Sequence, residues 1–151
     1  MTALRSYRPT DRDSIASLLR EHGWARHFVE GQLEAVAALS ASENGATVVA
    51  DDDGSVAGFV SVEIHRWNNL AQLQGLAVRA ARLREGLGAL LVEEVERVAR
   101  ERGCRGIYAD TPVDNERGRA FYVARGYRED YRMSRYYSDD VDGATYVKFF
   151  D

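Results

Sequence analysis

The sequence predicts an α/β or α+β fold built on a mixed sheet, and three observations lead to that class. Residues 46–50 and 56–64 have the composition of buried strands, and the Asp-Asp-Asp-Gly run between them is typical of a hairpin turn. Residues 70–78 and 107–110 also have strand patterns, and a long amphipathic helix joins them, as in a crossover connection. Hairpins and crossovers together indicate a sheet with antiparallel and parallel neighbours. The 151 residues, 45% of them hydrophobic, suit one domain over residues 1–151.

The first half of the chain is predicted to contribute one strand, two helices and three further strands. Residues 4–8 alternate in character and stop at a proline, as a short strand would. Thr10 is a suitable N-cap for a first helix, which is expected to end at a His-Gly pair. A second helical pattern covers roughly residues 28–39 and ends in a polar run. The hairpin and a third strand follow, and Gly75 within that third strand predicts a bulge or a close backbone approach.

The second half is predicted to alternate helices with strands. The core face of the long helix is expected to carry Leu87, Leu90, Leu91, Val95 and Val98. Asn115 can cap a further helix that runs to residues 125–126. Strand patterns at residues 127–137 and 144–150 flank an acidic turn. The predicted order is therefore β-α-α-β-β-β-α-β-α-β-β.

Composition and charge argue against several classes of protein. The 20 Lys+Arg and 24 Asp+Glu residues give a formal net charge of −4, which disfavours a general nucleic-acid binder. Cys104 is the single cysteine, so we expect no internal disulfide and no metal site. No apolar run reaches the roughly 18 residues of a membrane span, and the first residues lack the apolar segment of a secretory signal. We therefore expect a cytoplasmic protein with no nucleic-acid or membrane partner.

The loop before the long helix has the features of an anion site. Gly86 and Gly88 at the start of a helix allow a tight turn that brings several backbone N–H groups toward one point. Arg79, Arg82 and Arg84 in the same loop would add to the attraction for a phosphate. The P-loop and Rossmann glycine patterns are both incomplete here, which disfavours those nucleotide sites. A plain surface loop remains the alternative to a phosphate site.

Two segments of the chain resemble one known family. Residues 76–78 (Leu-Ala-Val) and 82–91 (Arg-Leu-Arg-Glu-Gly-Leu-Gly-Ala-Leu-Leu) resemble the acetyl-CoA motif of the GNAT N-acetyltransferases. Residues 115–122 (Asn-Glu-Arg-Gly-Arg-Ala-Phe-Tyr) and 125–127 (Arg-Gly-Tyr) resemble the second motif of that superfamily. The motifs stand in family order and at family spacing, so the resemblance covers nearly the whole chain.

Two positions depart from the family pattern. Leu83 stands where the phosphate loop usually has Gln or Arg, and Arg82 or Arg84 is the candidate to replace that side chain. Gly118 replaces the usual alanine of the second motif, which should only lower helix propensity slightly. Capture of a pyrophosphate by backbone N–H groups does not depend on either position.

The resemblance implies a fold and an activity. The fold is a mixed, mostly antiparallel seven-stranded sheet with helices on both faces. The activity is that of an N-acetyltransferase, an acyltransferase that uses acetyl-CoA as cosubstrate and transfers the acetyl group directly to a primary amine of a small molecule or peptide N-terminus. The alternative is a non-catalytic module that binds acyl-CoA on the same fold and regulates. Many relatives dimerise, so the resemblance also leaves a homodimer open.

The resemblance further implies which residues contact the cosubstrate. The strand backbone is expected to hold the pantetheine arm, and the N–H groups from about residue 84 to residue 89 are expected to hold the pyrophosphate. The implied contact residues are Leu76, Ala77, Val78, Arg82, Arg84, Glu85, Gly86, Leu87, Gly88, Ala89, Asn115 and Tyr122. For Asn115, helix capping alone is the competing interpretation.

The resemblance and the residue chemistry together suggest the catalytic groups. Tyr122 matches the family tyrosine that protonates the leaving thiolate, and a purely aromatic anchor is the alternative. Asp110 and Glu63 are the candidate bases, while His65 and a water chain stay open. Gln72 cannot act as a base. The acceptor site is expected between the first two helices and the final hairpin, where an aromatic and acidic rim suits a cationic amine.

Overall fold

Seven strands form one sheet in the computed structural model, which describes residues 2–151. The strands are β1 (Thr2–Ser6), β2 (Gly45–Asp52), β3 (Ser55–His65), β4 (Leu70–Val78), β5 (Gly106–Pro112), β6 (Arg128–Ser138) and β7 (Val141–Phe149). The helices are α1 (Arg12–Glu21), α2 (Arg26–Ala41), α3 (Leu87–Glu101) and α4 (Glu116–Ala124). The sheet order is β1-β2-β3-β4-β5-β7-β6, with β4 and β5 parallel and the other neighbours antiparallel. The predicted mixed, mostly antiparallel sheet and its element order are confirmed.

The helices cover the two faces of the sheet unequally. Helices α1 and α2 pack on one face of β2 and β3, where the register partners Val49 and Phe59 belong to their buried cluster. The next pair, Val48 and Val60, faces the opposite side and packs in the cluster that contains α3. Strand residues alternate between faces, so each strand of this pair contributes to both clusters. Helices α1 and α2 lie over β2 and β3. Residues of β5 and β7, farther along the sheet, border a cleft.

Strands β4 and β5 separate part of the way along their length. They pair only over residues 70–73 and 106–109, although β4 continues to Val78 and β5 to Pro112. The β3–β4 register shifts after Leu73, which leaves Gln74 as the extra residue of a bulge. A bulge bends its strand and increases the local twist. The result is an opening between the two strands beyond the bulge.

Asp11, rather than Thr10, organises the start of the first helix. A short 3₁₀ turn at Pro9–Asp11 precedes α1, and β1 lies two residues earlier than predicted. The Asp11 carboxylate accepts from the Arg8 amide at 2.8 Å and from both terminal nitrogens of Arg5 at 2.9 Å. These bonds lower the pKa of Asp11 and tie the helix start to the first strand. A propensity rule for N-caps does not include such a tertiary ion pair.

The buried face of α3 differs from the predicted one. Leu90 is exposed, whereas Val92 and Glu96 are buried. The Glu96 carboxylate accepts from the Tyr127 hydroxyl at 2.8 Å and from Lys148 Nζ at 3.1 Å. Hydrophobic periodicity does not predict a buried glutamate. Burial of its carboxylate is costly unless tertiary partners pair with the charge, as Tyr127 and Lys148 do here.

Candidate functional site

The opening between β4 and β5 exposes backbone groups of β4. The Arg79 amide donates to the Ala57 carbonyl at 2.8 Å, so in the antiparallel ladder Val78 turns its own N–H and C=O away from β3. Because hydrogen-bonded and non-hydrogen-bonded pairs alternate along the ladder, the N–H and C=O of Leu76 also point away from β3. The N–H and C=O of Ala77 point toward β3. Of the three predicted backbone contacts, Leu76 and Val78 therefore point into the opening, and Ala77 is bonded within the sheet.

His22 reaches the outer end of this opening. Its Nε2 donates to the Val78 carbonyl at 2.6 Å, from the C-terminal end of α1. Nothing local in the sequence indicates this bond, because its partners lie more than fifty residues apart. A ligand that needs the Val78 carbonyl would have to displace this imidazole.

The N-terminus of α3 lies directly beyond β4 and has the geometry of an anion site. Gly86 is the N-cap with φ +84°, and Arg84 also has a positive φ of +68°. Residues with a left-handed backbone conformation that lie close together in the chain turn neighbouring N–H groups toward a common point. The amides of residues 87–89 belong to the first helical turn, where no acceptor exists within the helix. The start of α3 therefore has a group of backbone N–H donors without acceptors in the helix, as predicted for this loop.

The arginines of the loop have different roles. Arg82 forms ion pairs with Asp52 and with Glu85, the latter at 2.6 Å. Arg79 binds Glu21 at 2.5 Å. Because Arg82 and Glu85 hold each other, their predicted phosphate contacts would require breaking that pair. Arg84 is exposed at the turn and is the loop arginine best placed to meet an anion.

Helix α4 packs against the same helix start. The Asn115 Oδ1 accepts from the Gly118 amide at 3.0 Å, and its Nδ2 lies 3.4 Å from Thr111 Oγ1, so the structure assigns this side chain to capping. A Cβ at Gly88 would lie 3.3 Å from the Phe121 ring. The glycine therefore permits the close approach of the two helices at the anion site.

Tyr122 is buried where α4 meets the sheet. Its ring centroid lies 5.4 Å from those of Phe121 and Tyr127 and 6.0 Å from that of Tyr146. Burial raises the pKa of the Tyr122 phenol above its ordinary value, and the charge of Asp110 raises it further. The phenol is therefore held in its protonated form throughout the neutral range, as a proton donor requires.

A cleft of about 120 Å³ lies on the sheet, where residues of β4 and β5 meet the β6–β7 hairpin. It is lined by Gln72, Tyr108, Asp110, Tyr131, Met133, Tyr136, Gly143 and Thr145. The Asp110 carboxylate accepts from Thr145 Oγ1 at 2.5 Å and from the Tyr136 hydroxyl at 3.3 Å. Burial and the charge of Asp110 raise the pKa of Tyr108 and of Tyr136, so these phenols stay neutral. The lining carries one carboxylate and no basic side chain, and it therefore favours a cation.

The other candidate bases are engaged beside the cleft. Gln72 Oε1 accepts from the Tyr108 hydroxyl at 3.1 Å and from His65 Nε2 at 3.0 Å. With Gln72 Oε1 as the acceptor, His65 Nε2 is the donor in this hydrogen bond. The Glu63 carboxylate accepts from Gln74 Nε2 at 2.8 Å, and it does not line the cleft. Asp110 alone among the predicted bases faces the cleft, while the catalytic role of Glu63 stays a prediction.

The sequence predicted Asp110 but not five other lining residues of the cleft, which are Tyr108, Tyr131, Met133, Gly143 and Thr145. Tyr108 and Asp110 alternate on β5, which is a period-two signal that they share one face. Thr145, Tyr131 and Met133 join them through the β5–β7 and β6–β7 registers, in which Asp110 pairs with Thr145 and Thr145 with Tyr131. Registers between strands far apart in sequence leave no local signal.

Within residues 2–151, no three His, Cys, Asp or Glu side chains are grouped so that they could hold a metal ion. No helix in that range combines the length and the apolar character needed to cross a membrane. Cys104 is buried, and burial raises the pKa of its thiol, so the reactive thiolate is disfavoured.

Comparison with known proteins identifies relatives of the chain. Residues 15–127 match the acetyltransferase (GNAT) family. The chain is 34% identical over 84 residues to the Danio rerio protein named Probable N-acetyltransferase 14. The aligned segment covers 56% of this chain and 30% of that protein. The chain thus spans less than a third of that curated relative.

Solved structures extend the likeness to the whole fold. A GNAT-family protein from Desulfovibrio desulfuricans has a TM-score of 0.90 and 22% identity, with 99% of each chain covered. An aminoglycoside 6'-N-acetyltransferase complexed with coenzyme A has a TM-score of 0.84 and 19% identity, covering 97% of this chain and 96% of that one. At these identities the likeness establishes the fold, and the family match covers well over half of the chain and both motifs. The chain belongs to the acetyltransferase (GNAT) family.

Proposed function

We propose that this protein transfers the acetyl group of acetyl-CoA directly to a primary amine of a small molecule or a peptide N-terminus. The observation that carries the proposal is the opening between β4 and β5, which leads from the anion site at the start of α3 to the acidic cleft. A structural relative is described as complexed with coenzyme A, and GNAT membership supports the same donor.

The residues present fit the donor in its three parts. The amides of residues 87–89 and the positive end of α3 suit a pyrophosphate. The N–H and C=O of Leu76 and the N–H of Val78 offer backbone hydrogen bonds to a pantetheine arm lying in the opening. Tyr122 lies at the base of α4 with its phenol kept protonated, which suits a donor to the departing sulfur. In this proposal the three sites hold, in turn, the pyrophosphate, the pantetheine arm and the thioester end of acetyl-CoA.

The cleft would receive the acceptor as an ammonium ion. The Asp110 carboxylate and the faces of Tyr108 and Tyr136 attract a cation. Asp110 then takes a proton from the ammonium, and the free amine attacks the carbonyl carbon of the thioester. As the C–N bond forms, the C–S bond breaks, and Tyr122 gives its proton to the thiolate. The second proton that the nitrogen loses restores the Tyr122 phenol through solvent, and the proton on Asp110 passes to water. The products are the acetylated amine and the free thiol of coenzyme A.

Turnover of acetyl-CoA against pooled amines is the direct test. Free thiol release would be followed with pools of aminoglycosides, polyamines, amino acids and short peptides. We expect at least one pool to react, and mass spectrometry of its product should show one added acetyl group per molecule. If no pool reacts, calorimetric titration separates the outcomes: binding of acetyl-CoA without turnover favours the regulatory module, and failure to bind contradicts the proposal.

Substitution of Gly88 by valine is expected to lower acetyl-CoA affinity by about tenfold or more. The new Cβ would meet the Phe121 ring at 3.3 Å, and the larger side chain would shift the first turn of α3 and its amides. A tenfold change corresponds to about 1.4 kcal/mol of lost binding energy. Calorimetric titration of acetyl-CoA measures the change. Gly31→Val, at a helical glycine with open space around it, is the matched control, and equal losses in both variants would remove the anion-site assignment.

A further inference from the structure

Gln32 of α2 has a buried amide nitrogen that the fold does not use. Within residues 2–151, its Nε2 is the buried side-chain polar atom that lacks a hydrogen-bond partner. A buried donor without an acceptor destabilises the folded state, and such atoms are rare in native proteins. One explanation is that a ligand supplies the missing acceptor.

The sequence provides room for this amide at Gly75. A Cβ on Gly75 would lie 2.1 Å from Gln32 Nε2, so every other residue type would push the side chain away. Gly75 follows the bulge at Gln74 and precedes Leu76, whose N–H points into the opening. The unused donor and the free backbone donor therefore belong to the same short stretch, where β4 leaves β5.

The acyl end of the donor should reach this stretch. If the pyrophosphate binds at the start of α3, the arm runs back along β4 past Val78 and Leu76, which are about 6.6 Å apart. The bulge then lies at the end of the arm that carries the thioester. Two donors beside one carbonyl oxygen are the arrangement that stabilises the negative charge developing there during acyl transfer.

We propose that Gln32 is a catalytic residue that donates from Nε2 to the thioester carbonyl oxygen, together with the Leu76 N–H. This inference rests on the proposed function. Nε2 packs against Gly75, and the terminal torsion of the amide is soft enough for the group to turn to a carbonyl oxygen bound beside it. That turn breaks no hydrogen bond of Nε2, because the atom makes none. The attack and proton transfers are those already described; Gln32 adds only the hydrogen bond.

Calorimetry with two ligands tests the proposal without any acceptor amine. Acetyl-CoA has the carbonyl oxygen, and its thioether analogue S-ethyl-CoA lacks it. We expect the wild type to prefer acetyl-CoA, and Gln32→Met to reduce that preference about threefold to tenfold, the range of one hydrogen bond. The affinity for S-ethyl-CoA should stay unchanged. Glu34→Met, at an exposed position of the same helix, is the matched control and should keep the preference.

The outcomes separate this inference from the proposed function. An unchanged preference in Gln32→Met, or an equal loss of affinity for both ligands, would overturn the role of Gln32 and leave the function standing. A wild type that binds neither ligand would overturn both. Gly75→Ala gives a second test, because it keeps the amide but displaces it, and the same reduced preference is expected.

Discussion

Replacing Tyr122 by phenylalanine is expected to lower kcat by about 10²–10⁴-fold and to leave acetyl-CoA affinity nearly unchanged. Phenylalanine keeps the ring contacts with Phe121, Tyr127 and Tyr146 and removes only the proton donor. Because burial raises the pKa of Tyr122, the wild-type phenol stays protonated well into the alkaline range. Its own ionisation should therefore cause no fall in activity below about pH 10, the ordinary tyrosine value.

Tyr127→Phe is the matched control for this prediction. It removes a hydroxyl from the same aromatic cluster, but that hydroxyl donates to Glu96 at 2.8 Å and has no part in the proposed reaction. We expect Tyr127→Phe to lower the free energy of unfolding and to keep kcat within a few-fold of wild type. Steady-state kinetics and urea unfolding on both variants distinguish the two effects. Unchanged turnover in Tyr122→Phe would exclude the proton-donor role.

The sequence was sufficient where function depends on short segments. Short continuous segments of the chain predicted the turn at the start of α3 and helix α4, from the glycines at positions 86 and 88 and from residues 115–122. The anion site at that turn stays a prediction. The conformations of these segments are also local, since the positive φ of Gly86 and the capping bond of Asn115 involve residues at most three positions away. The element order followed from the same kind of local pattern.

The features that the sequence did not predict depend on distant contacts. Whether Ala77 faces β3 or the opening follows from the β3–β4 register, which a one-residue slip would reverse. Glu96 is buried because Tyr127 and Lys148 reach it from later in the chain. The place of Gln32 beside Gly75 likewise requires α2 to be packed on the sheet. Gly75 marks the close approach locally, as a glycine within a strand, but neither its partner nor the other arrangements leave a periodic or compositional signal.

Replacing Asp110 by asparagine is expected to lower kcat/KM by about 10²–10⁴-fold near neutral pH. Asparagine keeps the shape and can still accept from Thr145 Oγ1, so the β5–β7 pairing should persist. What it loses is the ability to take a proton from the bound ammonium and the charge that attracts it. Because the population of free amine rises with pH, part of the lost activity should return as the pH approaches the pKa of the acceptor. Activity in the wild type should depend less on pH over that range.

Glu63→Gln separates Asp110 from the second predicted base. Glu63 accepts from Gln74 and lies beside the cleft rather than in its lining, so its amide variant should keep most of the activity and the wild-type pH profile. The opposite ranking, with a large loss and alkaline recovery in Glu63→Gln, would transfer the role of base to Glu63. Near-wild-type kinetics in both variants would instead point to a water chain, because no carboxylate would then be needed to take the proton. The variant that loses activity and recovers it at alkaline pH therefore identifies the base.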